Sequence, residues 1–530
     1  MVQVYLRAAV LGKFKLYKNV IDDLNVAISS GYPKHLLYKA LQRLAVAYTA
    51  TGQETKAETT YKDLYQALDD AEISAEQRKK MKNDCLNLIK SFPAEKQDKI
   101  SPTPLELLKL EEPNLNIPSL SSKVRIEQTE RRGRFAVAKE DIRAGEVLAN
   151  ERSMVLSVAG VKVRSHCVSC SRSCVAPLPC PHCCSVVFCS PDCRETDLPP
   201  HLLECWMSQF VAGQPASSNL FLAPFLLVLR LVLKTDFLFH LNTFQAWQRG
   251  ETVIGDQTSF SKLLLMVKHF DQLDLLHHVT SCGLIMNMLK CLQYVPNTVN
   301  MDGETMMFQI ICHYYAAVLS NIHTTSELRN APNKQVSNTP VAVALFPDVA
   351  LHINHSCDPN TFVIDIESSQ VTIASRNIQA GEEITQVYCG HFGDTNRVAR
   401  QALLQERYHF QCECQACQQD YPDANTCLER AKTFAETPPS GLKKVLSEEE
   451  LRELDEKNEE SRILTEKALM KGLVPSAVNQ TLRRLEMISS NLRSPHILYM
   501  MGRVSLINYM CYIYANKALG FTPQKLPVYF

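Results

Sequence analysis

The sequence predicts a multidomain α+β protein whose strand-bearing core is split by two insertions and flanked by helical regions. Three observations carry this. Short strand-like runs fall in two places far apart in the chain: Arg134 to Ala138 and Val147 to Ala149, then Val341 to Phe346, Thr361 to Ile364 and Val371 to Ala374. Between them lie a cysteine-dense segment, Cys167 to Cys205, and a long Leu-rich stretch with helical periodicity. Helical texture also fills both ends. A chain of 530 residues has room for about two to four compact units.

Composition narrows the class. Hydrophobic residues make up 45% and charged residues 21%, as in ordinary globular proteins. Lys plus Arg and Asp plus Glu are 56 each, so no global basic field supports direct nucleic-acid binding. The first seven residues lack the pattern of a secretory signal. The longest apolar run, Leu220 to Leu233, is broken by Pro224 and Arg230 and is too short for a bilayer, so it reads as a buried helix. Twenty cysteines without a secretory signal point to metal ligands rather than disulfides. The expected state is a cytoplasmic and nuclear monomer without membrane association. Scattered cysteines such as Cys85, Cys282, Cys291, Cys312 and Cys511 read as small buried hydrophobes.

In chain order, residues 1–90 read as helix pairs. Leu41, Leu44, Ala45, Tyr48, Gly52, Ala57, Tyr61 and Leu64 stand at offsets that resemble a tetratricopeptide (TPR) repeat, the plain alternative being a generic helical hairpin. Two such units are too few to stand alone, which calls for a surface to stack on or for a preceding repeat. Residues 91–123, with Pro93, Pro102, Pro104, Pro113 and Pro118, read as a linker. Residues 124–160 hold the first part of the strand core and 167–205 the cysteine module. A helical insert over 216–340 follows, then the second part of the core over 341–395. A second cysteine segment spans 396–417, and 418–530 is helical, with Glu448 to Arg462 as a solvated face.

The cysteine module contains Cys167-x2-Cys170, Cys180-x2-Cys183, Cys189-x3-Cys193 and His201-x3-Cys205. Eight ligands supply two closed tetrahedral zinc sites, which are structural because no position stays open. A redox role is disfavoured because four pairs follow in series. His166, Cys174, His182 and Cys184 break the spacing. The pattern resembles the MYND finger. That resemblance implies interleaved sets, Cys167, Cys170, Cys189 and Cys193 on one ion and Cys180, Cys183, His201 and Cys205 on the other. It also implies docking of proline-containing peptides. So short and coreless a segment is expected to fold on metal.

The second half holds the chemistry. Asn354-His355-Ser356-Cys357-Asp358-Pro359-Asn360 is followed by Gly381-Glu382-Glu383-Ile384, by Tyr388, and by Cys412-x-Cys414-x-x-Cys417. Taken singly, His355 is a buried histidine, Tyr388 a core aromatic and Glu382-Glu383 a polar turn. In this order they resemble the catalytic core of SET-domain protein lysine methyltransferases. With the finger, they resemble the SET-and-MYND (SMYD) family in its TPR-bearing branch. The resemblance implies a β-rich SET core and three zinc ions, the third on Cys357, Cys412, Cys414 and Cys417. It implies S-adenosylmethionine contacts from Asn354, His355, Phe410, Asn321 and the strand at Arg131, Arg132 and Gly133. Tyr388 is the implied catalytic and cofactor-lining residue, Tyr408 a wall of the lysine channel, and a protein lysine the substrate. SET enzymes usually carry Gly-x-Gly at the first strand, whereas this chain has Arg131 at the first glycine. Two functions stay open: a protein-lysine methyltransferase on histone or non-histone lysines, and a SET-fold adaptor acting through finger and TPR surfaces.

Overall fold

The computed structural model describes residues 2–93, 108–208, 213, 219–251, 259–330, 336–427, 447–470, 474–515 and 517. The N-terminal part is a stack of five helices, α1 (Val2–Lys13), α2 (Tyr17–Ser29), α3 (Leu37–Ala50), α4 (Glu54–Ala67) and α5 (Ala75–Ser91). Ala40, Leu44 and Ala47 of α3 are buried, and their small neighbours let the helices approach closely. Gly52, at φ +72, makes the turn into α4 in a conformation that L residues rarely adopt. The stack does not stand alone. Arg7 pairs with Asp23 at 2.6 Å and donates to the Pro177 carbonyl at 2.7 Å. Ala176 of the cysteine module is buried in the same apolar cluster as α1–α3. The surface these helices need is therefore supplied by that module.

The strands are β1 (Val124–Thr129), β2 (Gly133–Ala138), β3 (Val147–Arg152), β4 (Val155–Val158), β5 (Leu178–Pro179), β6 (Val187–Phe188), β7 (His323–Asn330), β8 (Val336–Leu345), β9 (Asn354–His355), β10 (Thr361–Ile366), β11 (Ser369–Ala374) and β12 (Thr385–Gln386). They form small sheets. β1 and β2 make an antiparallel hairpin, and β3 adds to the β10–β11 pair. β4 and β7 flank β8, while β9 and β12 run parallel. Two halves of the core, about two hundred residues apart in sequence, thus close into one body through β3 on β11 and β4 on β8.

Three expectations need correction. The segment over 216–340 is helical only to Asn321, after which His323–Asn330 forms β7 and β8 begins at Val336. The β-branched pair Thr324-Thr325 lies in this strand, and its register shifts at Thr325/Ser326, where Pro340 has no N–H to offer the ladder. The segment over 91–123 is more than a linker. Residues 94–107 lie outside the described residues, but Leu108 and Leu120 are buried and Leu120 bridges Ala149. Asn150 donates to the Leu108 carbonyl at 3.1 Å. Burial of these leucines straps the segment to β3.

The helices Asn219–Leu233, Phe237–Gln248, Ser259–Leu265, Leu275–Cys291 and Met301–Asn321 share one apolar core that reaches Val155 and Leu345 of the sheets. The cysteine module is not coreless either: Val168, Leu178, Val187 and Phe188 join Leu156, Val158 and Val341 in a common cluster. C-terminal helices follow at Glu448–Met470, Val474–Ser489 and Ile497–Tyr514. Leu506 and Met510 of the last one pack on Phe362 and Ile364 of β10. Among the described residues no helix is long and apolar enough to cross a membrane.

One buried ion pair fastens module, strands and insert together. Arg230 donates through Nη2 to Glu204 at 2.6 Å and through Nη1 to the Leu156 carbonyl at 2.6 Å. Glu204 is 5% exposed, so Arg230→Ala leaves a buried carboxylate without its cation. Removing one partner of such a pair costs about 3–5 kcal/mol. Urea denaturation should show a loss of that order for Arg230→Ala, and the double variant E204Q/R230M should recover most of it.

Candidate active site and metal centres

The parallel pairing of β9 with β12 sets Asn354 opposite Thr385 and His355 opposite Gln386. Asn360, 1% exposed, locks this crossing. Its Nδ2 donates to the Glu383 carbonyl at 2.8 Å and to Glu382 at 3.1 Å, and its Oδ1 accepts from the Thr385 N–H at 2.8 Å. The chain after β12 therefore delivers Tyr388 beside His355. Tyr388 N–H donates to His355 Nδ1 at 3.0 Å, which puts the imidazole proton on Nε2, 3.3 Å from the Cys357 sulfur. The Tyr388 hydroxyl donates to the Ile353 carbonyl at 2.9 Å.

Aromatic rings complete a box. His355 lies 5.4 Å from Tyr388 and 6.0 Å from Phe410, and Tyr408 lies 5.1 Å from Tyr388. Burial pushes His355 down to about 4 and, with Tyr408 and Glu383 nearby, pushes the Tyr388 hydroxyl well above its ordinary range. Near pH 7 the box is uncharged, with histidine neutral and tyrosine protonated.

The other wall is built from the β1–β2 hairpin. Asn354 Nδ2 donates to the Arg132 carbonyl at 3.2 Å and to Glu383 at 3.3 Å, and Arg132 pairs with Glu383 at 3.0 Å. Gly133 has φ +65, and a Cβ built there meets nothing within 4 Å, so the backbone borders open space. Arg131 is turned toward the second cysteine segment, where its guanidinium pairs with Glu413. Asn321 Nδ2 donates to Val267 O at 3.0 Å, while Arg134 donates to Leu265 O at 2.6 Å. The loop after the helix Ser259–Leu265 thus links Asn321 to the hairpin, and His269 of that loop lies 4.8 Å from the His409 ring. Sequence reasoning missed this loop, which carries no motif. Lys268 within it is pushed down to about 8 by burial and by Arg134.

The twelve cysteine and histidine ligands collect into three groups of four: Cys167, Cys170, Cys189 and Cys193; Cys180, Cys183, His201 and Cys205; Cys357, Cys412, Cys414 and Cys417. In each, the ligand atoms lie within 4.8 Å of one another. Sulfur separations of 3.5 Å for Cys170–Cys189, 3.8 Å for Cys180–Cys205 and 3.5 Å for Cys357–Cys417 approach the roughly 3.8 Å edge of a tetrahedron with zinc–sulfur bonds of about 2.3 Å. The donor sets fit zinc. Of the rejected ligands, His166 bonds Glu327 at 3.1 Å and Cys174 the Arg172 carbonyl at 3.5 Å. Around the third group, fully buried Arg400 donates to Thr395 O at 2.7 Å and lies 4.0 Å from the Cys417 sulfur. Arg503 of the last helix reaches Asp358 at 2.5 Å. No sequence motif marks either arginine.

Elemental analysis of the folded chain should find at least three zinc ions, and fewer would sink the assignment. Cys180→Ser should release one and open the module to protease, whereas Cys412→Ser should loosen the segment that carries Phe410. Asn360→Ala leaves the Thr385 N–H and Glu383 carbonyl unpaired, at about 1–3 kcal/mol for each buried group. Its measurable sign is a lower melting temperature together with faster proteolysis near Tyr388.

The SET-domain family model matches residues 133–389. Protein-lysine N-methyltransferase SMYD4 of Homo sapiens is 24% identical over 513 residues, 78% of this chain and 61% of that protein. Histone-lysine N-methyltransferase ASHR1 of Arabidopsis thaliana is 26% identical over 54% of this chain and 53% of its own length. N-lysine methyltransferase SMYD2-B of Xenopus laevis is 26% identical over 54% of this chain and 58% of its own length. The chain spans about three fifths of the length of the SMYD4 proteins it matches. Residues 133–389 match the SET domain, and the chain is similar to SMYD proteins over most of its length.

Proposed function

We propose that the chain is an S-adenosylmethionine-dependent protein-lysine N-methyltransferase acting on histone or non-histone lysines. The observation that carries this reading is the uncharged box of His355, Tyr388, Tyr408 and Phe410 beside the open backbone at Gly133. The donor set fits the cofactor: an amide at Asn354, backbone at Arg132 and Gly133, and the Phe410 ring as an apolar face. When bound, the cofactor supplies a methyl group already activated as a sulfonium. The chain's residues then have three tasks. Tyr388 and Tyr408 exclude water around the incoming amine, which favours its neutral, nucleophilic form. The Tyr388 hydroxyl and the Ile353 carbonyl orient amine and methyl in line. Asn354 and the Arg132–Gly133 backbone hold the polar end of the cofactor, with Asn321 behind them across the loop.

In the same reading the cysteine module is a MYND-type finger with affinity for proline-containing peptides, and the N-terminal helices are TPR-like and bind peptide partners. The protein works as a monomer in cytoplasm and nucleus. A second reading, a SET-fold adaptor with little catalysis, draws support from Arg131. That side chain stands where SET enzymes usually carry a glycine, and its pair with Glu413 reaches from the hairpin to the zinc segment.

Calorimetric titration with S-adenosylmethionine separates the two. Asn354→Ala should weaken binding by about 1–3 kcal/mol, the cost of an unmade hydrogen bond to a buried partner. No binding by the unaltered protein at millimolar ligand leaves the adaptor ahead. Tyr388→Phe should keep fold and most affinity while strongly reducing turnover, because its hydroxyl acts on alignment in the transition state. Radiolabelled methyl transfer to a broad mixture of cellular proteins reads this out, and equal labelling by both proteins removes Tyr388 from the mechanism.

A further inference from the structure

We infer that His278, Cys282 and Cys312 form a fourth zinc site, buried between the insert helices Leu275–Cys291 and Met301–Asn321. His278 and Cys282 are four residues apart, so they point from one face of the first helix on successive turns. Cys312 meets them from the second helix, and the three ligand atoms lie within 4.8 Å of one another. His278 Nε2 is 3.9 Å from the Cys282 sulfur. The sequence alone reads Cys282 and Cys312 as small core hydrophobes, and only the packing of the two helices joins them.

Burial and charge favour an ion here over an ordinary pair of core thiols. Cys282 is fully buried and His278 is 5% exposed. The His278 ring is held edge-on by Phe270 at 6.1 Å and by Tyr315 at 5.4 Å. Its Nδ1 is buried without a hydrogen-bond partner, so thiol sulfur is what its other nitrogen faces. Two thiolates and a neutral imidazole around Zn2+ sum to zero charge, which suits an apolar core. A monovalent copper ion leaves one negative charge there. The ligand set is that of a three-ligand zinc site with one position open. Cys312 is half-buried. The ion staples the helix that ends at Asn321, and this assignment does not depend on the proposed methyl transfer.

The test is zinc content of the full chain, purified reduced and without chelator. The unaltered protein should hold four zinc ions. His278→Phe, which keeps the ring packing, and Cys312→Ala should each hold three and still unfold in one cooperative transition. Three ions in all proteins overturns the site, as does a Cys282–Cys312 disulfide in the native chain. If neither variant folds, cadmium substitution of the unaltered protein decides. A cadmium-113 resonance from a two-sulfur environment, apart from those of the four-sulfur and three-sulfur sites, supports the site, and its absence overturns it.

Discussion

The site depends on the crossing of two segments through the amide of Asn360. One side chain satisfies the backbone at Glu383 and Thr385 and so fixes the parallel pairing of β9 with β12. A parallel pair of two residues each has little ladder energy of its own. The amide acts together with the Tyr388 N–H bond to His355 Nδ1 in holding Asn354 and His355 at the height of Tyr388. Buried amides of this kind are costly when half-satisfied and specific when fully satisfied. Asn360 is bonded on both its oxygen and its nitrogen.

Around that crossing, cations from distant segments hold the loops in place. Arg503, more than a hundred residues away, bonds Asp358 and the Pro359 carbonyl just ahead of Asn360. Arg400 lies under the third cysteine group, and Arg230 joins Glu204 of the cysteine module to β4. His166 and Glu327 make a similar buried tie between the cysteine module and β7. Apart from Arg400, which shares a segment with Cys417, each tie lies between parts that are separate in sequence. The inserted modules are thereby integral to the core and share its apolar clusters.

Charge explains part of the arrangement. Four thiolates on Zn2+ carry two negative charges, which need nearby donors. At Cys357, Cys412, Cys414 and Cys417 those donors are the Nε2–H of His355, facing Cys357, and the guanidinium of Arg400, near Cys417. His355 is thus shared between the metal group and the aromatic box, which ties the shape of the box to an intact metal site. The second group of the cysteine module exchanges one thiolate for His201, whose Nδ1 lies 3.5 Å from Glu204. That carboxylate is in turn neutralised by Arg230.

The sequence by itself determined what is local. Cysteine spacing named the ligands because metal geometry constrains close neighbours in the chain, and the strand runs at Arg134, Val341, Thr361 and Val371 were legible because alternation is a short-range signal. The Asn354-His355 pair and Tyr388 were legible through order along the chain. Tertiary structure decided the rest. β7 was hidden behind the long apolar helix Met301–Asn321, and its pairing with β8 is what makes it a strand. The strap at Leu108 and Leu120 looked like a proline linker until β3 was there to bury its leucines. The loop at Leu265–His269 has no pattern, and it becomes a wall of the site only through Arg134, Asn321 and His409. The cluster of His278, Cys282 and Cys312 spans two helices, and no spacing rule reaches across such a gap. Short-range chemistry is written in the chain, whereas pairing between remote segments is fixed by burial and by the hydrogen bonds that burial demands.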